Sequence, residues 1–184
     1  SLEGSPPLNS FTQILHPLDD TPQTHQNLTM SRWYSLRDKI TKNSKLQFED
    51  DAESVHALEE QLIETIKIQS EADVPLGAFL SGGVDSSTIV ALMQENQSNP
   101  VQTFTIGFED KKFDESPYAL AVAKHLGTDH HELFVSSSDA QSLIPDLPKL
   151  YDEPFADSSQ IPTHFVSMAA KKKVTVSLSG DAGD

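Results

Sequence analysis

The run Val74-Pro75-Leu76-Gly77-Ala78-Phe79-Leu80 is apolar without alternation and stops abruptly at Ser81-Gly82-Gly83. A strand with one face in water alternates apolar and polar side chains. A continuous apolar run instead predicts a central parallel strand, covered by helices on both faces. Pro75 restricts the entrance of that strand and not its middle. From Asp85 to about Glu95 the spacing predicts a helix with Ile89, Val90, Leu92 and Met93 turned inward. The unit is therefore a strand, a glycine turn and a helix, and this arrangement limits the chain to a layered α/β fold.

The flanking sequence repeats the pattern. Val55, Leu58, Leu62 and Ile66 recur at helical spacing and predict one apolar stripe on an acidic helix from Asp51 to about Gln69. A second apolar strand is expected at Val101–Phe108, after a turn at Asn96–Pro100. The next helix is expected to be capped by Asp114, with Phe113 packing on Tyr118 as a hydrophobic staple. Ala119, Ala121, Val122 and Leu126 continue its buried side, and Gly127 supplies the stop. A third strand follows at His131–Val135, then short helical pieces broken by Pro145, Pro148 and Pro154. A helix from about Ser159 to Lys171 is expected to bury Ile161, Phe165 and Met168, with Pro162 tolerated in its first turn. A fourth strand, Val174–Leu178, leads into Ser179-Gly180-Asp181-Ala182-Gly183-Asp184. This alternation predicts a doubly wound parallel sheet, with both glycine loops at the carboxyl ends of strands where such sheets bind ligands.

Residues 1–49 differ in character. Pro6, Pro7, Pro17 and Pro22 stand among Ser, Thr, Asn and Gln with no sustained period, and the stretch reads as an interdomain linker or strap. Within it Trp33-Tyr34-Ser35-Leu36 is expected to anchor on the side of the domain formed by residues 50–184. The chain of 184 residues carries 13 Lys+Arg against 28 Asp+Glu, a formal charge of -15. No basic surface is available for a general nucleic-acid partner. An anionic small ligand would need local backbone donors and a divalent cation to overcome the repulsion. The absence of cysteine excludes disulfides, thiolate zinc sites and a cysteine nucleophile. Neither a membrane span nor a basic and apolar leader is visible, so the chain reads as a soluble cytoplasmic protein or a piece of one. Its stop at Asp184, inside a Gly/Asp loop, suggests a trimmed chain.

Ser81-Gly82-Gly83-Val84-Asp85-Ser86-Ser87 carries the chemistry. Two glycines let the backbone turn sharply and direct N–H groups at a ligand. The following helix adds its free N–H groups and positive end, while Ser86 and Ser87 add hydroxyl donors. Together these would cradle phosphate. Asp85 is out of place beside an anion unless it holds a metal bridging the phosphates, which is the reason to expect Mg²⁺. The alternative is an ordinary strand–turn–helix with a serine-rich cap. A Walker loop is excluded because no Gly-Lys-Ser/Thr is present, and the Gly-x-Gly-x-x-Gly spacing of dinucleotide folds is missing. Without a Walker lysine, pyrophosphate remains open as the leaving group. Asp181 and Asp184, three residues apart on a glycine-containing loop, can present carboxylates to the same cleft, although a solvated acidic loop would look alike. His125, His130 and His131 lack a third well-spaced ligand and read as structural or solvated rather than as a zinc site. Asp157 and Ser158 are secondary candidates for substrate contact, against a helix-capping role. Lys171, Lys172 and Lys173 precede the last strand and are expected to face solvent at its opposite end.

Leu80-Ser81-Gly82-Gly83-Val84-Asp85-Ser86-Ser87 resembles the PP-loop of the N-type ATP pyrophosphatases. Thr103–Phe108, Phe113-Asp114-Glu115, Gly127–Glu132, Tyr151–Ser159 and Ser179-Gly180-Asp181 resemble the synthetase domain of glutamine-hydrolysing asparagine synthetases, over about residues 30–184. The resemblance implies an adenine nucleotide alpha hydrolase-like sheet, incomplete at its C-terminus. It also implies ATP-dependent adenylation of the aspartate side chain, loss of pyrophosphate and displacement of AMP by ammonia. Ser81 to Ser87 would then hold pyrophosphate, and Asp85 and Asp184 would hold Mg²⁺. Phe79, Ile106, Gly107, Ser179 and Gly180 would line the nucleoside site. Asp181, which matches a residue that is glutamate in some members, would orient aspartate or assist ammonia attack.

Expected partners are aspartate and ammonia as substrates, an N-terminal glutaminase domain and a second copy of the chain; no membrane or nucleic acid is expected. The glutaminase domain, C-terminal helices and a downstream lysine near the phosphates are not in this sequence. The chain alone is thus expected to bind Mg·ATP weakly and not to make asparagine. Two other readings stay open. One keeps the adenylation on a different carboxylate, as in β-lactam synthetases or sugar-amidating relatives. The other is a noncatalytic nucleotide-binding module.

Overall fold

A computed structural model describes residues 23–25, 28–30, 32, 34–43, 48–151 and 157–181. The chain divides into two units at Asp51 and Ala52. In the first, β1 (Gln23–His25) pairs antiparallel with β2 (Leu28–Met30), and α1 (Leu36–Asn43) follows. The Ser35 hydroxyl accepts a hydrogen bond from Asp38 N at the start of α1, which has no buried residue. Of the expected anchor, Trp33 lies outside the described residues, and Tyr34 and Leu36 are exposed.

The second unit opens on α2 (Asp51–Ser70) and alternates from there. β3 (Leu76–Phe79), α3 (Val84–Glu95), β4 (Gln102–Phe108), α4 (Ser116–Leu126) and β5 (Asp129–Val135) come in sequence. Then α5 (Ser137–Leu143), a 3₁₀ turn (Ile144–Asp146), α6 (Leu147–Leu150), α7 (Gln160–Ala170) and β6 (Val176–Leu178) complete it. The four strands from β3 to β6 form one parallel sheet in the order β5-β4-β3-β6. The doubly wound parallel sheet expected from the apolar runs is therefore present.

Neighbouring residues of β3 face opposite sides of the sheet. Ala78 joins a core with Ile66 of α2, Val90, Leu92 and Met93 of α3, and Ala119 and Ala123 of α4. Phe79 joins the other core, where Phe104 packs with Val166 and Ala170 of α7 and with Val174. β3 and β4 are thus covered on both faces, which is why their sequences do not alternate.

Four local expectations change. On α2 only the C-terminal half of the stripe is used: Ile66 is buried and Leu62 packs on the core, whereas Val55 and Leu58 are exposed. A 20-residue helix is about 30 Å long and overruns a sheet whose strand β3 spans roughly 13 Å. On α4 Ala123 and not Ala121 faces the core. On α7 the buried line runs through Val166 and Ala170, leaving Met168 exposed. Phe113 and Tyr118 are both exposed, so no staple closes α4, and its N-cap is Glu115 rather than Asp114. Gly127 does end α4, in a left-handed conformation at φ 73°. No described helix is long and apolar enough to cross a membrane.

At the start of β5 a polar cluster sits between strands. Thr103 is fully buried, and its hydroxyl lies 2.9 Å from both Thr128 Oγ1 and His130 Nδ1. His130 Nε2 is buried with no partner among the described residues. His131 Nε2 donates to Gln102 Oε1 at 2.7 Å and its ring tilts against Phe104. Burial, and then the charge of His131, hold the His130 imidazole below its ordinary value of 6.5. The neutral ring suits the fold, so its contribution is full above that ordinary value and is lost as pH falls through the lowered one. Urea denaturation between pH 7.5 and 5 is expected to show stability declining with acid, with a shallower decline in His130→Gln. Parallel profiles for the two proteins would contradict this origin.

Candidate active site

The order β5-β4-β3-β6 contains a reversal. From β3 the chain moves outward through β4 to β5, then returns to lay β6 on the other side of β3. The crevice at such a switch point, beyond the carboxyl ends of the strands, is where open α/β sheets bind ligands. The loop after β3 is Ser81-Gly82-Gly83 and the loop after β6 is Ser179-Gly180-Asp181. Both predicted loops therefore leave adjacent strands at this crevice.

Backbone geometry explains their composition. Gly82 has φ 85°, and a Cβ there would lie 2.6 Å from Ala119 N and Tyr118 C, against the first turns of α4. A Cβ on Gly180 would lie 2.7 Å from Ser86 N and 2.8 Å from Asp85 C. The β6 loop thus touches the N-terminus of α3, and only glycine permits it. Gly83 caps α3 with no side-chain hydrogen bond, so the first-turn N–H groups of the helix are left for another acceptor. The serines close the loop on itself. Ser81 Oγ lies 3.0 Å from Ser86 Oγ, Ser81 N donates to Ser86 Oγ at 3.2 Å, and Gly83 N donates to Ser81 Oγ at 3.3 Å.

Two cavities meet here. The smaller, about 170 Å³, is bordered by Phe79, Ser81, Gly83, Asp85, Ser86, Ser179, Gly180 and Asp181. The larger, about 780 Å³, shares Phe79, Ser81 and Asp181 with it. It extends over Phe104, Ile106 and Phe108 of β4, Glu109, Asp110, Phe113 and Glu115 of the next loop, and Pro162, Thr163 and Val166 of α7. The small cavity is bordered mainly by serines, aspartates and glycines and is of phosphate scale, and the large one can enclose a nucleoside with a further small group.

Most of the predicted residues converge, with three departures among the described residues. Ser87 is turned away: its hydroxyl is buried without a partner among the described residues, and the side chain borders a groove between α3 and α4. The helical turn explains this, since Ser86 and Ser87 point about 100° apart. Gly107 lines neither cavity. A Cβ on it would meet the Phe134 ring at 2.6 Å, because it alternates with Ile106 and faces the α4 side. Gly82 shapes the loop without bordering either space. Asp184 and residues 152–156 lie outside the described residues.

Ser158 and Ser159 border the large cavity, while Asp157 accepts a hydrogen bond from Ser159 N at 2.9 Å in the turn before α7, whose N-cap is Ser159. The wall supplied by Glu109, Asp110, Phe113 and Glu115 was not singled out from the sequence as lining a site. Their place after a predicted strand's carboxyl end is the signal that points to them. The three lysines are exposed on the turn between α7 and β6.

The donor set fits a hard cation. Asp85 and Asp181 bring two carboxylates to the small cavity beside the Ser81 and Ser86 hydroxyls, and among the described residues no Lys, Arg or His borders it. Mg²⁺ is commonly held by one or two carboxylates together with substrate phosphates. Among the described residues no group of three or more acidic or histidine side chains converges on a point.

The Asparagine synthase family model matches residues 57–184. A putative glutamine-hydrolyzing asparagine synthetase 2 of Methanocaldococcus jannaschii is 48% identical over 124 residues, covering 67% of this chain and 24% of that protein. Glutamine-hydrolyzing asparagine synthetase 1 of Bacillus subtilis is 36% identical over 139 residues, covering 76% of this chain and 22% of that protein. Among solved structures, NMN synthetase from Francisella tularensis aligns with a TM-score of 0.46 at 12% identity, over 66% of this chain and 52% of that one. The chain spans about a quarter of the length of these curated relatives. With the glycine loop, the parallel sheet and the paired cavities already in place, the match over residues 57–184 identifies this chain as a member of the asparagine synthase family.

Proposed function

We propose that the site adenylates the side-chain carboxylate of aspartate with ATP and passes the product to ammonia. The observation that carries the reading is the junction of a small cavity bordered by serines, aspartates and a helix N-terminus with a larger one suited to a nucleoside and acceptor. A carboxylate oxygen of aspartate attacks the α-phosphorus, and the bond to pyrophosphate breaks. The nitrogen of ammonia then attacks the acyl carbon, and AMP leaves with the bonding electron pair.

The chain's own groups suit these steps. Backbone N–H groups of the first turn of α3, with the Ser81 and Ser86 hydroxyls, hold the pyrophosphate oxygens. Phe79 and Ile106 border the larger, nucleoside side, whereas Ser179 and Gly180, expected there, border only the small cavity. Asp181, shared by both cavities, is placed to orient the ammonium of aspartate or to take a proton from the attacking nitrogen. Asp85, with Asp184, would hold Mg²⁺, whose charge neutralises the negative charge that develops on the leaving pyrophosphate. The names of the two curated relatives describe those proteins as glutamine-hydrolyzing. We extend this to a glutaminase domain as the source of ammonia here, with residues 1–49 as the strap beside it.

Pyrophosphate release from Mg·ATP with ammonia, measured in the longest natural chain carrying these residues, is expected to require aspartate among a panel of carboxylic acids. Asp85→Ala should lower that rate by about 100-fold or more. Release with another acid but not aspartate would keep the chemistry and replace the acceptor. No acid-dependent release would overturn the adenylation.

Gly180→Ala provides a separate check on the loop contact. The added methyl group pushes against backbone at Ser86 N, so the two loops must part. Mg·ATP affinity is expected to fall about tenfold or more with the fold retained, as read by calorimetry beside circular dichroism. Unchanged affinity would mean that the contact is incidental.

A further inference from the structure

One carboxylate that borders neither cavity fastens the wall of the larger one. Asp114 Oδ1 accepts hydrogen bonds from Ser116 Oγ at 2.7 Å, from Ser116 N at 3.1 Å and from Phe108 N at 3.4 Å. Phe108 is the last residue of β4 and Ser116 the first of α4. A single oxygen thus ties together the two ends of the loop 109–115. A helix cap alone would not require the bond to Phe108. Ser116 is itself buried at 3% exposure, so the tie is anchored in the core. Inside the loop, Phe113 N donates to the Asp110 carbonyl and Lys112 N to the Asp110 carboxylate, both at 3.0 Å, which makes it a defined turn.

We propose that Asp114 is a positioning residue, which holds loop 109–115 as the wall of the large cavity and so sets affinity for the nucleoside end of the ligand. The inference rests on the adenylating reading of the site. Four of the seven loop residues, Glu109, Asp110, Phe113 and Glu115, border the large cavity, and none of them borders the small one. Releasing the tie should therefore loosen the nucleoside side and spare the phosphate side. The Ser116 hydrogen bonds hold the Asp114 carboxyl below its ordinary range, so the acceptor remains ionised at any pH where the protein would work.

Calorimetric titration of AMP and of inorganic pyrophosphate, each with Mg²⁺, separates the two sides in the longest natural chain carrying these residues. Asp114→Ala is expected to weaken AMP binding about tenfold and to leave pyrophosphate binding within about twofold of wild type. Asp114→Asn keeps the shape and one acceptor oxygen, and uncharged acceptors form weaker bonds, so its loss of AMP affinity should be intermediate. The asparagine variant carries the test if the alanine variant does not fold. Unchanged AMP affinity, or equal losses for AMP and pyrophosphate, would overturn the proposal.

Amide hydrogen exchange decides the tie without any ligand. Faster exchange in Asp114→Asn confined to residues 108–116 upholds it. Exchange that is unchanged, or that spreads to residues 81–87, refutes it. Failure of wild type to bind either ligand would count against the adenylating reading, while exchange would still decide the role of Asp114.

Discussion

The contact between Gly180 and the first turn of α3 is the constraint on which the site depends. Parallel pairing of β3 with β6 places their carboxyl ends side by side, with Ala78 opposite Leu178. The two loops must then occupy the same small space. A Cβ at Gly180 would sit 2.7 Å from Ser86 N, closer than packed atoms tolerate. With no side chain there, the β6 loop closes over the helix N-terminus and carries Asp181 to the cavity already bordered by Asp85. The topological reversal explains why residues so distant in sequence meet, and glycine explains how closely.

That convergence creates an electrostatic problem that the same residues resolve. The chain has a formal charge of -15, and carboxylates border both cavities. Long-range potential therefore opposes an anionic ligand, and attraction must come from short-range dipoles. Gly83 leaves the helix amides uncapped, and the two glycines aim them without obstruction. The Ser81–Ser86 hydroxyl pair holds the loop shaped before a ligand enters, so less ordering has to accompany binding. On the proposed reading Asp85 then changes meaning: repulsive toward bare phosphate, it is a suitable ligand for the cation that phosphate brings.

How far this could be read from sequence depended on which physical effect left a pattern. Burial on both faces leaves non-alternating runs, so β3 and β4 were legible, as was the glycine stop at Gly127. The PP-loop was legible because sharp turns and phosphate approach both demand glycine. Helix faces were less so. Val55 and Leu58 match Leu62 and Ile66 in spacing, but nothing in the spacing says where the sheet ends beneath the helix. Ser86 and Ser87 are alike in composition and differ only in angle around α3, which puts one hydroxyl at the cavity and the other in the α3–α4 packing. Asp114 was read as a cap from its position before a helix. Its longer reach, to Phe108 N, depends on the loop folding back, which no local pattern encodes.

The two cavities also differ in how they can vary. The smaller is defined largely by backbone, through Gly83, Gly180 and the helix amides, together with short serines and aspartates. A side chain added at Gly180 would push against the backbone of α3, so on the proposed reading the pyrophosphate side is bound to the fold. The larger is defined by side chains from several elements, with Phe113 and Glu115 on a loop and Pro162 and Val166 on α7. Such positions can change without moving the strands, provided the loop ends stay tied. On the proposed reading, activation of a carboxylate would be fixed by the sheet's reversal and its glycines. Selection among carboxylates would fall to a wall whose shape depends on how loop 109–115 is held.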